Sequence, residues 1–276
     1  MRIVAVGDNC LDWYLDRKKI YPGGNAVNVA VFAKRLSADS AYLGQFGTDR
    51  AGDIMISALA SEGVDISHIR RAEGRSGYAT VRNIEGERVF QGASDGVVAF
   101  DPVADDYDFM AGATLIHSGD SSFMGGHLAR FAAIAPVSFD FSIKPAEYCP
   151  PILPHVTYAT FSRPELDPAQ LPDFIDWVHS FGVKYVQVTK GVAGSWVSDR
   201  RQIHHEPAVP TQVLDTLGAG DSFIAAMLVN LLKGASSAEA AALAAQFAAD
   251  ACRGYGAFGY EAEAADMTLA SDHRYE

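Results

Sequence analysis

The sequence has little cysteine, no long hydrophobic run and no excess of positive charge. Three cysteines, at positions 10, 149 and 252, are scattered over 276 residues without a C-x-x-C pair. An odd, scattered set is typical of reduced thiols, and it argues against a disulfide framework. The apolar start of the chain stops at Gly7-Asp8, and no run of about 18 apolar residues follows. We therefore expect no signal peptide and no membrane span, and a cytoplasmic protein.

The charge balance narrows the classes of partner. A formal net charge of -12 argues against binding to a nucleic acid or an anionic membrane. It does not exclude a nucleotide, because backbone amides can bind phosphate on an acidic protein. It also suits a substrate that carries an amino group. The length and an apolar fraction of 49% predict one large α/β domain with a small accessory element.

Short apolar runs alternate with helical patterns, which predicts a mainly parallel sheet. We expect core strands at residues 2–7, 41–46, 114–117, 137–141, 156–160 and 185–189. A hairpin is predicted at 194–204, and further β segments at 13–21 and 77–90, the latter turning at residues 85–87. Polar residues such as Asp120 and Asp140 follow predicted strands, where parallel sheets bind ligands. Residues after Glu261 are expected to fray.

One stretch carries most of the chemical information, Asp215-Thr-Leu-Gly-Ala-Gly-Asp-Ser-Phe223. Gly218 and Gly220 allow a ligand to approach the backbone closely. The N–H groups of the helix that follows would face that ligand and favour an anion. Asp221 lies beside this anion site and could take a proton from a phosphoryl acceptor. The stretch alone is equally consistent with an Asp that caps a helix after a tight turn.

This stretch resembles the C-terminal signature of the ribokinase-like (PfkB) carbohydrate kinases. The segment Gly23-Gly-Asn-Ala-Val-Asn-Val-Ala30 resembles the N-terminal signature of the same family, in the right order. The resemblance implies a ribokinase-like three-layer α/β/α fold over residues 1–276, with a mainly parallel sheet and a small β lid near 13–21 and 77–90. It also implies ATP-dependent phosphorylation of a primary hydroxyl, with Asp221 as general base and backbone amides of Gly218, Ala219 and Gly220 holding the phosphoryl group.

The same resemblance assigns a sugar site. Asp12 would accept hydrogen bonds from sugar hydroxyls, since one carboxylate can accept from both members of a vicinal diol. Gly24 would bring the backbone close to the sugar, and Asn25 and Asn28 would contribute amide contacts. Without the resemblance, a solvated Asp and two helix-capping Asn residues explain these positions equally well.

Nucleotide binding is implied by Thr189-Lys-Gly-Val-Ala-Gly194, which resembles a family loop. The expected nucleotide contacts are Thr189, Gly191, Gly194 and Gly220. Lys190 stands where the family pattern has an apolar residue, and it either contacts phosphate or points to solvent. Ser162-Arg-Pro-Glu165 departs from the family's Asn-x-x-Glu pattern by a Ser for Asn. Glu165 is expected to orient Mg²⁺ through water, and Mg²⁺ is expected to neutralise charge between the β- and γ-phosphates.

Two other patterns are interpreted as structural. Gly254-Tyr-Gly-Ala-Phe-Gly259 fits G-x-G-x-x-G but follows a helix, so a dinucleotide site is not predicted. His204-His205-Glu206 contains metal-ligand types, but neighbouring residues of a strand point to opposite faces. We expect these three residues to lie on the surface without a metal.

Within the family, the chain is most similar to the fructoselysine 6-kinases, through Gly7-Asp-Asn-Cys-Leu-Asp12 and Gly63-Val-Asp-Ile-Ser-His68. This similarity implies phosphorylation of a sugar–amino-acid adduct at the 6-hydroxyl, with Asp120 or the lid edge contacting the amino-acid portion. A kinase of a free ketose or a nucleoside stays open, as does a non-catalytic sugar or nucleotide sensor. The exact adduct, a monovalent cation and a homodimer formed through the lids also stay open.

Overall fold

The computed structural model describes residues 1–84, 87–265 and 267–275. The strands, numbered along the chain, are β1 (Arg2–Val6), β2 (Cys10–Tyr14), β3 (Lys19–Gly23), β4 (Asp39–Leu43), β5 (Gln45–Gly47), β6 (Arg70–Ala72), β7 (Tyr78–Ile84), β8 (Glu87–Ser94), β9 (Leu115–Gly119), β10 (Val137–Asp140), β11 (Tyr158–Ser162), β12 (Tyr185–Thr189), β13 (Ser195–Ser198), β14 (Ile203–Glu206), β15 (Ala262–Glu263) and β16 (Arg274–Tyr275). The α-helices are α1 (Asn25–Arg35), α2 (Arg50–Ser61), α3 (Ala104–Met110), α4 (Leu128–Ile134), α5 (Leu171–Ser180), α6 (Ala219–Leu232) and α7 (Ser237–Ala251).

The large sheet has eight strands in the order β14-β13-β12-β11-β10-β9-β1-β4. Strands β12, β11, β10, β9, β1 and β4 run parallel, whereas β13 and β14 pair antiparallel at one edge. Strand β1 lies between β4 and β9. The sheet therefore grows first on one side of β1, with β4, and later on its other side, from β9 to β14. Ligands of open α/β sheets bind at such a switch point, beyond the carboxyl ends of the strands.

Helices cover both faces of this sheet. On β1, Ile3 and Ala5 pack into one apolar cluster with α1, α2 and α6, while Val4 and Val6 pack into a second cluster with α3, α4 and α5. A strand buried on both faces needs apolar residues at every position, as the run Ile-Val-Ala-Val has. The predicted three-layer α/β/α fold is confirmed. None of the helices in the described residues is long and apolar enough to cross a bilayer.

A second sheet has six strands in the order β15-β3-β2-β7-β8-β16. It occupies the regions where a small β lid was predicted. The predicted segment 13–21 is in fact an antiparallel pair, β2 and β3, and Asp12 lies within β2. The β7–β8 hairpin is present, although its turn residues Glu85 and Gly86 lie outside the described residues. The closing motion of a lid stays a prediction.

The expectation that the chain frays after Glu261 was wrong. Residues 262–263 form β15 on one outer edge of the small sheet, and residues 274–275 form β16 on the other. Arg274 makes a two-pronged ion pair with Asp95, at 2.8 and 2.7 Å, and the His273 ring stacks on Tyr78 at 5.7 Å. Backbone pairing at a sheet edge needs no apolar run, so composition alone could not reveal it.

Other boundaries differ from the sequence prediction in smaller ways. The predicted strand 41–46 is divided at Gly44 into β4 and β5, and β5 pairs with β6 in a separate two-stranded sheet. A Cβ at Gly44 would lie 2.0 Å from the Tyr42 hydroxyl, so the chain turns where no side chain fits. Helices α3 and α4 were not predicted, and each has only seven residues.

The packing of β16 on β8 predicts a large effect of Gly92→Ala. Gly92 has φ +145°, and a Cβ there would lie 2.1 Å from the carbonyl oxygen of Arg274. The methyl group must displace β16, so we expect the free energy of unfolding to fall by about 1–3 kcal/mol in urea denaturation.

The control for this prediction is Gly112→Ala. Gly112 has φ +82° with no atom within 4 Å of its ideal Cβ, so it reports the backbone cost alone. In a chain shortened to end at Ala270, Gly92→Ala should lose the part of its effect that comes from Arg274. An unchanged effect there would show that β16 does not pack against Gly92.

Candidate active site

The start of α1 is fixed by a carboxylate that follows β1. Asp8 accepts hydrogen bonds from the backbone N–H groups of Asn25, at 2.7 Å, and Ala26, at 3.1 Å. It also accepts from the Ser122 hydroxyl at 2.7 Å. Gly24, the residue before the helix, has no side chain to cap it, so Asp8 satisfies the first amides instead. The negative charge also complements the positive end of the helix dipole.

Gly23 and Gly24 are required by close contacts. Gly24 has φ +105°, and a Cβ there would lie 2.7 Å from the Cα of Asn9. A Cβ on Gly23 would lie 2.2 Å from Oδ2 of Asp12, so Gly23 leaves room for that carboxylate. Asp12 is buried in β2, with 5% of its surface exposed. The glycine pair therefore joins the small sheet to α1 and places the Asp12 carboxylate at the junction.

The glycine-rich turn leads into α6 as the sequence predicts. Gly218 has φ +75°, and a Cβ there would lie 2.8 Å from the Cα of Ala257. The residue before α6 is Gly218, which has no side chain to cap the first turn of the helix. The ideal Cβ of Gly220 meets no atom within 4 Å, so this side of the turn is open. An uncapped helix start beside open space fits an anion such as a phosphate.

Two side-chain amides of α1 hold the Asp221 carboxylate. Nδ2 of Asn25 donates to Oδ1 at 2.7 Å, and Nδ2 of Asn28 donates to Oδ2 at 2.6 Å. Residues three apart lie on one face of a helix, so both amides reach the same carboxylate. A carboxylate only accepts, so each Asn must turn its nitrogen toward it. The remaining oxygen of Asn28 is buried and has no hydrogen-bond partner among the described residues.

Asp140, at the end of β10, joins this group. Nδ2 of Asn25 also donates to Oδ2 of Asp140, at 3.0 Å. Burial, and then the negative charge of Asp221, raise the pKa of Asp140 to about 8. A hydrogen bond from the backbone N–H of Ser142 at 2.9 Å offsets part of this effect. Near neutral pH Asp140 is therefore mostly protonated, which limits the repulsion between the two neighbouring carboxyl groups.

Asp120 follows β9 at the same edge of the sheet. Burial raises the pKa of Asp120, and Lys144, whose Nζ lies 3.4 Å from Oδ2, offsets part of that increase. The nearby charge of Asp8 raises the pKa of Asp120 further. Carboxylates that follow β1, β9 and β10 thus lie close together, as expected for the carboxyl ends of adjacent parallel strands.

The loop 189–194 is tied to the segment after β11. Nζ of Lys190 donates to the backbone oxygens of Arg163, at 2.9 Å, and Pro164, at 3.1 Å. Lys190 therefore does not simply point to solvent, because its ammonium group donates to these carbonyl groups, and a contact with phosphate stays a prediction. Gly194 has φ +90°, and a Cβ there would lie 2.2 Å from the carbonyl oxygen of Glu206. Nucleotide contacts of Thr189, Gly191, Gly194 and Gly220 stay predictions.

Glu165 lies in the loop after β11 with 63% of its side chain exposed, 3.9 Å from Nε of Arg163. Arg163 itself is buried and donates to the backbone oxygens of Ser142 and Ser162, at 3.1 and 3.0 Å. It therefore joins the loops after β10 and β11. Residues 1–84, 87–265 and 267–275 contain no group of three or more His, Cys, Asp or Glu arranged to hold a metal. A water-mediated role of Glu165 stays a prediction, since Mg²⁺ usually keeps several waters.

The two sequence patterns that we interpreted as structural, residues 254–259 and 204–206, make packing contacts. Residues 254–259 follow α7, and the backbone N–H of Gly256 donates to Asp215 at 3.0 Å, as does the Tyr14 hydroxyl. The loop thus supports the start of the glycine-rich turn. On β14, His204 pairs with Glu206 at 2.9 Å and the His205 ring stacks on Trp196. Their side chains point to opposite faces, as the strand period predicts.

Of the predicted site residues, Asn25, Asn28 and Asp221 are brought into direct contact, with Gly24 and the Gly218–Gly220 turn beside them. Asp12 lies in the adjoining small sheet, and Glu165 and the Thr189 loop lie after β11 and β12 at the same edge of the large sheet. The sequence patterns assigned no role to Asp8 or His117. Their position at or just after parallel strands was the available signal. A carboxylate at a helix start that is open to an anion, with buried polar groups nearby, is an arrangement that suits phosphoryl transfer.

Comparison with known proteins also indicates phosphoryl transfer. Residues 3–261 match the model of the pfkB family carbohydrate kinases. The chain is 38% identical over 268 residues to the fructosamine kinase FrlD of Bacillus subtilis, covering 94% of each protein. It is 33% identical over 263 residues to the fructoselysine 6-kinase of Escherichia coli, covering 93% of this chain and 99% of that one.

The fold comparison gives the same fold. A ribokinase from Arabidopsis thaliana, solved with ribose and ATP, superposes with a TM-score of 0.80 at 21% identity, over 93% of this chain and 94% of that one. The protein described here is thus a sugar kinase, a phosphotransferase that acts on an alcohol group. It belongs to the ATP-dependent pfkB family of carbohydrate kinases.

The raised pKa of Asp140 predicts a pH-dependent effect of Asp140→Asn on stability. The folded protein keeps this proton up to about pH 8, whereas an unfolded chain releases it near pH 4. The stabilising contribution of the protonated group is complete below about pH 4 and is lost as the pH rises toward 8. Because Asn does not ionise, the free energy of unfolding of the variant relative to wild type should rise between pH 5 and about 8.

Urea denaturation across this pH range is the measurement. Asp39→Asn, at an exposed position that begins β4, is the matched control and should not show the trend. A difference between Asp140→Asn and wild type that stays constant with pH would mean that Asp140 ionises like a solvated carboxyl group.

Proposed function

We propose that this enzyme transfers the γ-phosphoryl group of ATP to the 6-hydroxyl of a fructosamine adduct of the fructoselysine type. Two relatives whose names specify fructosamine and fructoselysine kinases match at 38% and 33% identity over nearly the whole chain. The single observation that carries the reaction is the position of Asp221. Its carboxylate is held by two amides at the uncapped start of α6.

Asp221 acts as the general base in this proposal. The acceptor hydroxyl lies against the carboxylate, and its proton leaves late in a loose transition state, so an ordinary carboxylate suffices. The backbone N–H groups of Gly218, Ala219 and Gly220 stabilise the charge on the transferring phosphoryl group. Bound Mg²⁺ supplies neutralisation of the β- and γ-phosphates, and Glu165 is the residue available to orient its waters. Positioning of the two reactants then contributes most of the rate.

The sugar is held at the junction of the small sheet and α1. Asp12 accepts from ring hydroxyls, and Gly24 allows the close backbone approach. The buried oxygen of Asn28, without a partner among the described residues, is a second acceptor for a sugar hydroxyl. An unmet buried acceptor costs about 1–3 kcal/mol, which a substrate hydroxyl would recover. These acceptors suit a ligand rich in hydroxyl donors.

The electrostatics favour an adduct over a free ketose. Asp8, Asp12 and Asp120 lie around the site, and the chain has a formal net charge of -12. A fructosamine carries a protonated amine that free fructose lacks, so this field attracts the adduct more strongly. Asp120, buried beside Lys144, is the residue we assign to the amino-acid portion. Opposite charges side by side suit a zwitterionic group.

The substrate prediction concerns relative efficiency. In a coupled assay of ADP release, kcat/KM for fructoselysine should exceed that for fructose by more than about tenfold, or about 1.4 kcal/mol. Nucleosides and fructosamines of other amino acids complete the panel. Equal efficiency on fructose would leave a generic ketose kinase, whereas sugar binding without ADP release would indicate a sensor.

The chemical prediction concerns Asp221→Asn. This substitution keeps the shape of the side chain and removes the base, so kcat should fall by roughly 10²-fold or more. Sugar affinity, measured by calorimetry, should change little. Asp250→Asn, on the exposed side of α7, is the matched control and should keep wild-type kcat. If Asp221→Asn kept most of its kcat, Asp221 would be only a helix-capping residue.

A further inference from the structure

Both hydrogens and the oxygen of the Asn25 amide have partners inside the protein. Its two hydrogens are directed at two different carboxyl groups, Oδ1 of Asp221 at 2.7 Å and Oδ2 of Asp140 at 3.0 Å. Its oxygen lies 3.0 Å from Nε2 of His117. A side-chain amide has two donor hydrogens, so Asn25 keeps none for a sugar hydroxyl. Asn28 differs, because its oxygen has no partner among the described residues.

The orientation of the Asn25 amide determines the proton positions around it. Burial lowers the pKa of His117 to about 3, so the ring is neutral at working pH. The amide oxygen can only accept, so Nε2 of His117 must carry the ring proton. Nδ1 is then an acceptor, and the Ser138 hydroxyl, 3.1 Å away, donates to it. Hydrogen bonds thus run in one direction from Ser138 through His117 and Asn25 to Asp221.

The surroundings leave this amide little freedom. Gly119 ends β9, and a Cβ there would lie 2.6 Å from the Asn25 oxygen, so any larger residue would displace the amide. The backbone N–H of Asn25 is held by Asp8 at 2.7 Å. Turning the amide over would place its oxygen against the Asp221 carboxylate, which also only accepts. Such a flip loses the hydrogen bond to Asp221 and sets two acceptors against each other in a partly buried site, so one orientation is strongly preferred.

We propose that Asn25 is a positioning residue for phosphoryl transfer, not a sugar ligand: it orients the Asp221 carboxylate and is itself oriented by Asp140, His117 and Ser138. This inference rests on the proposed function in one respect, the role of Asp221 as the base. The side-chain amides of Asn25 and Asn28 then have different roles. Asn25 holds one oxygen of the base, and Asn28 holds the other while its own oxygen faces the substrate.

The kinetic test compares Asn25→Ala with Asn28→Ala, using the best substrate of the panel. Misorientation of the base should lower kcat of Asn25→Ala on the order of 10- to 100-fold, with KM for the sugar nearly unchanged. Asn28→Ala should raise KM as well as lower kcat. A rise in the sugar KM of Asn25→Ala that matches that of Asn28→Ala would overturn the proposal, because Asn25 would then contact the sugar.

A milder variant covers the case in which Asn25→Ala does not fold. Ser138→Ala removes a hydroxyl that is connected to Asp221 through His117 and Asn25. It should lower kcat in the same direction but less, without a change in KM. Unchanged kcat in Ser138→Ala would show that the hydrogen bonds through His117 do not orient Asp221.

The last readout does not depend on activity. Nitrogen chemical shifts of the His117 ring should show a neutral imidazole with its proton on Nε2, and Asn25→Ala should lose this preference. A proton on Nδ1 in the wild type would overturn the proposed orientation. If no fructosamine is phosphorylated but the Nε2 proton and the kcat effect with another sugar are found, the substrate assignment fails and the positioning role stands.

Discussion

The active site depends on one interaction, in which two α1 amides donate hydrogen bonds to the Asp221 carboxylate at the start of α6. Asn25 and Asn28 are separated from Asp221 by 196 and 193 residues of sequence. Helices α1 and α6 pack in the same layer over the large sheet, which brings their first turns together. The Asp221 carboxylate, which we propose as the base, is therefore oriented only when both halves of the chain are folded together. The orientation of the Asp221 carboxylate therefore depends on the packing of the whole fold.

The second constraint is electrostatic. Parallel strands bring several carboxyl groups to one edge of the sheet, where their mutual repulsion opposes both folding and the binding of an anionic nucleotide. The starts of α1 and α6 offset this repulsion with the positive ends of their dipoles. Asp140 offsets it further by keeping its proton to about pH 8. An acidic protein can in this way keep a site that accepts phosphate.

Much of this architecture could be predicted from the sequence. The apolar runs indicate strands buried on both faces, and the glycine-rich turn indicates an anion site because few other backbones allow such an approach. The partners of Asn25 and Lys190 could not be predicted, since the orientation of an amide or ammonium group depends on acceptors elsewhere in the fold. Asn25 was expected at the sugar, and Lys190 at phosphate or solvent. The packing of residues 262–275 was missed because sheet edges are joined through backbone atoms, which every residue type supplies.

The order of the small sheet has a consequence for biosynthesis. Strands β2 and β3 come from residues 10–23, whereas the outer strands come from residues 262–275. At ~5–20 residues per second, a ribosome needs about 12–50 s to make the roughly 250 residues between them. Until then the outer edges of β3 and β8 are open to strands of other nascent chains, which is a recognised route to aggregation. Each growing chain therefore carries an unfinished small sheet until residues 262–275 have been made, and these residues then cover both of its edges.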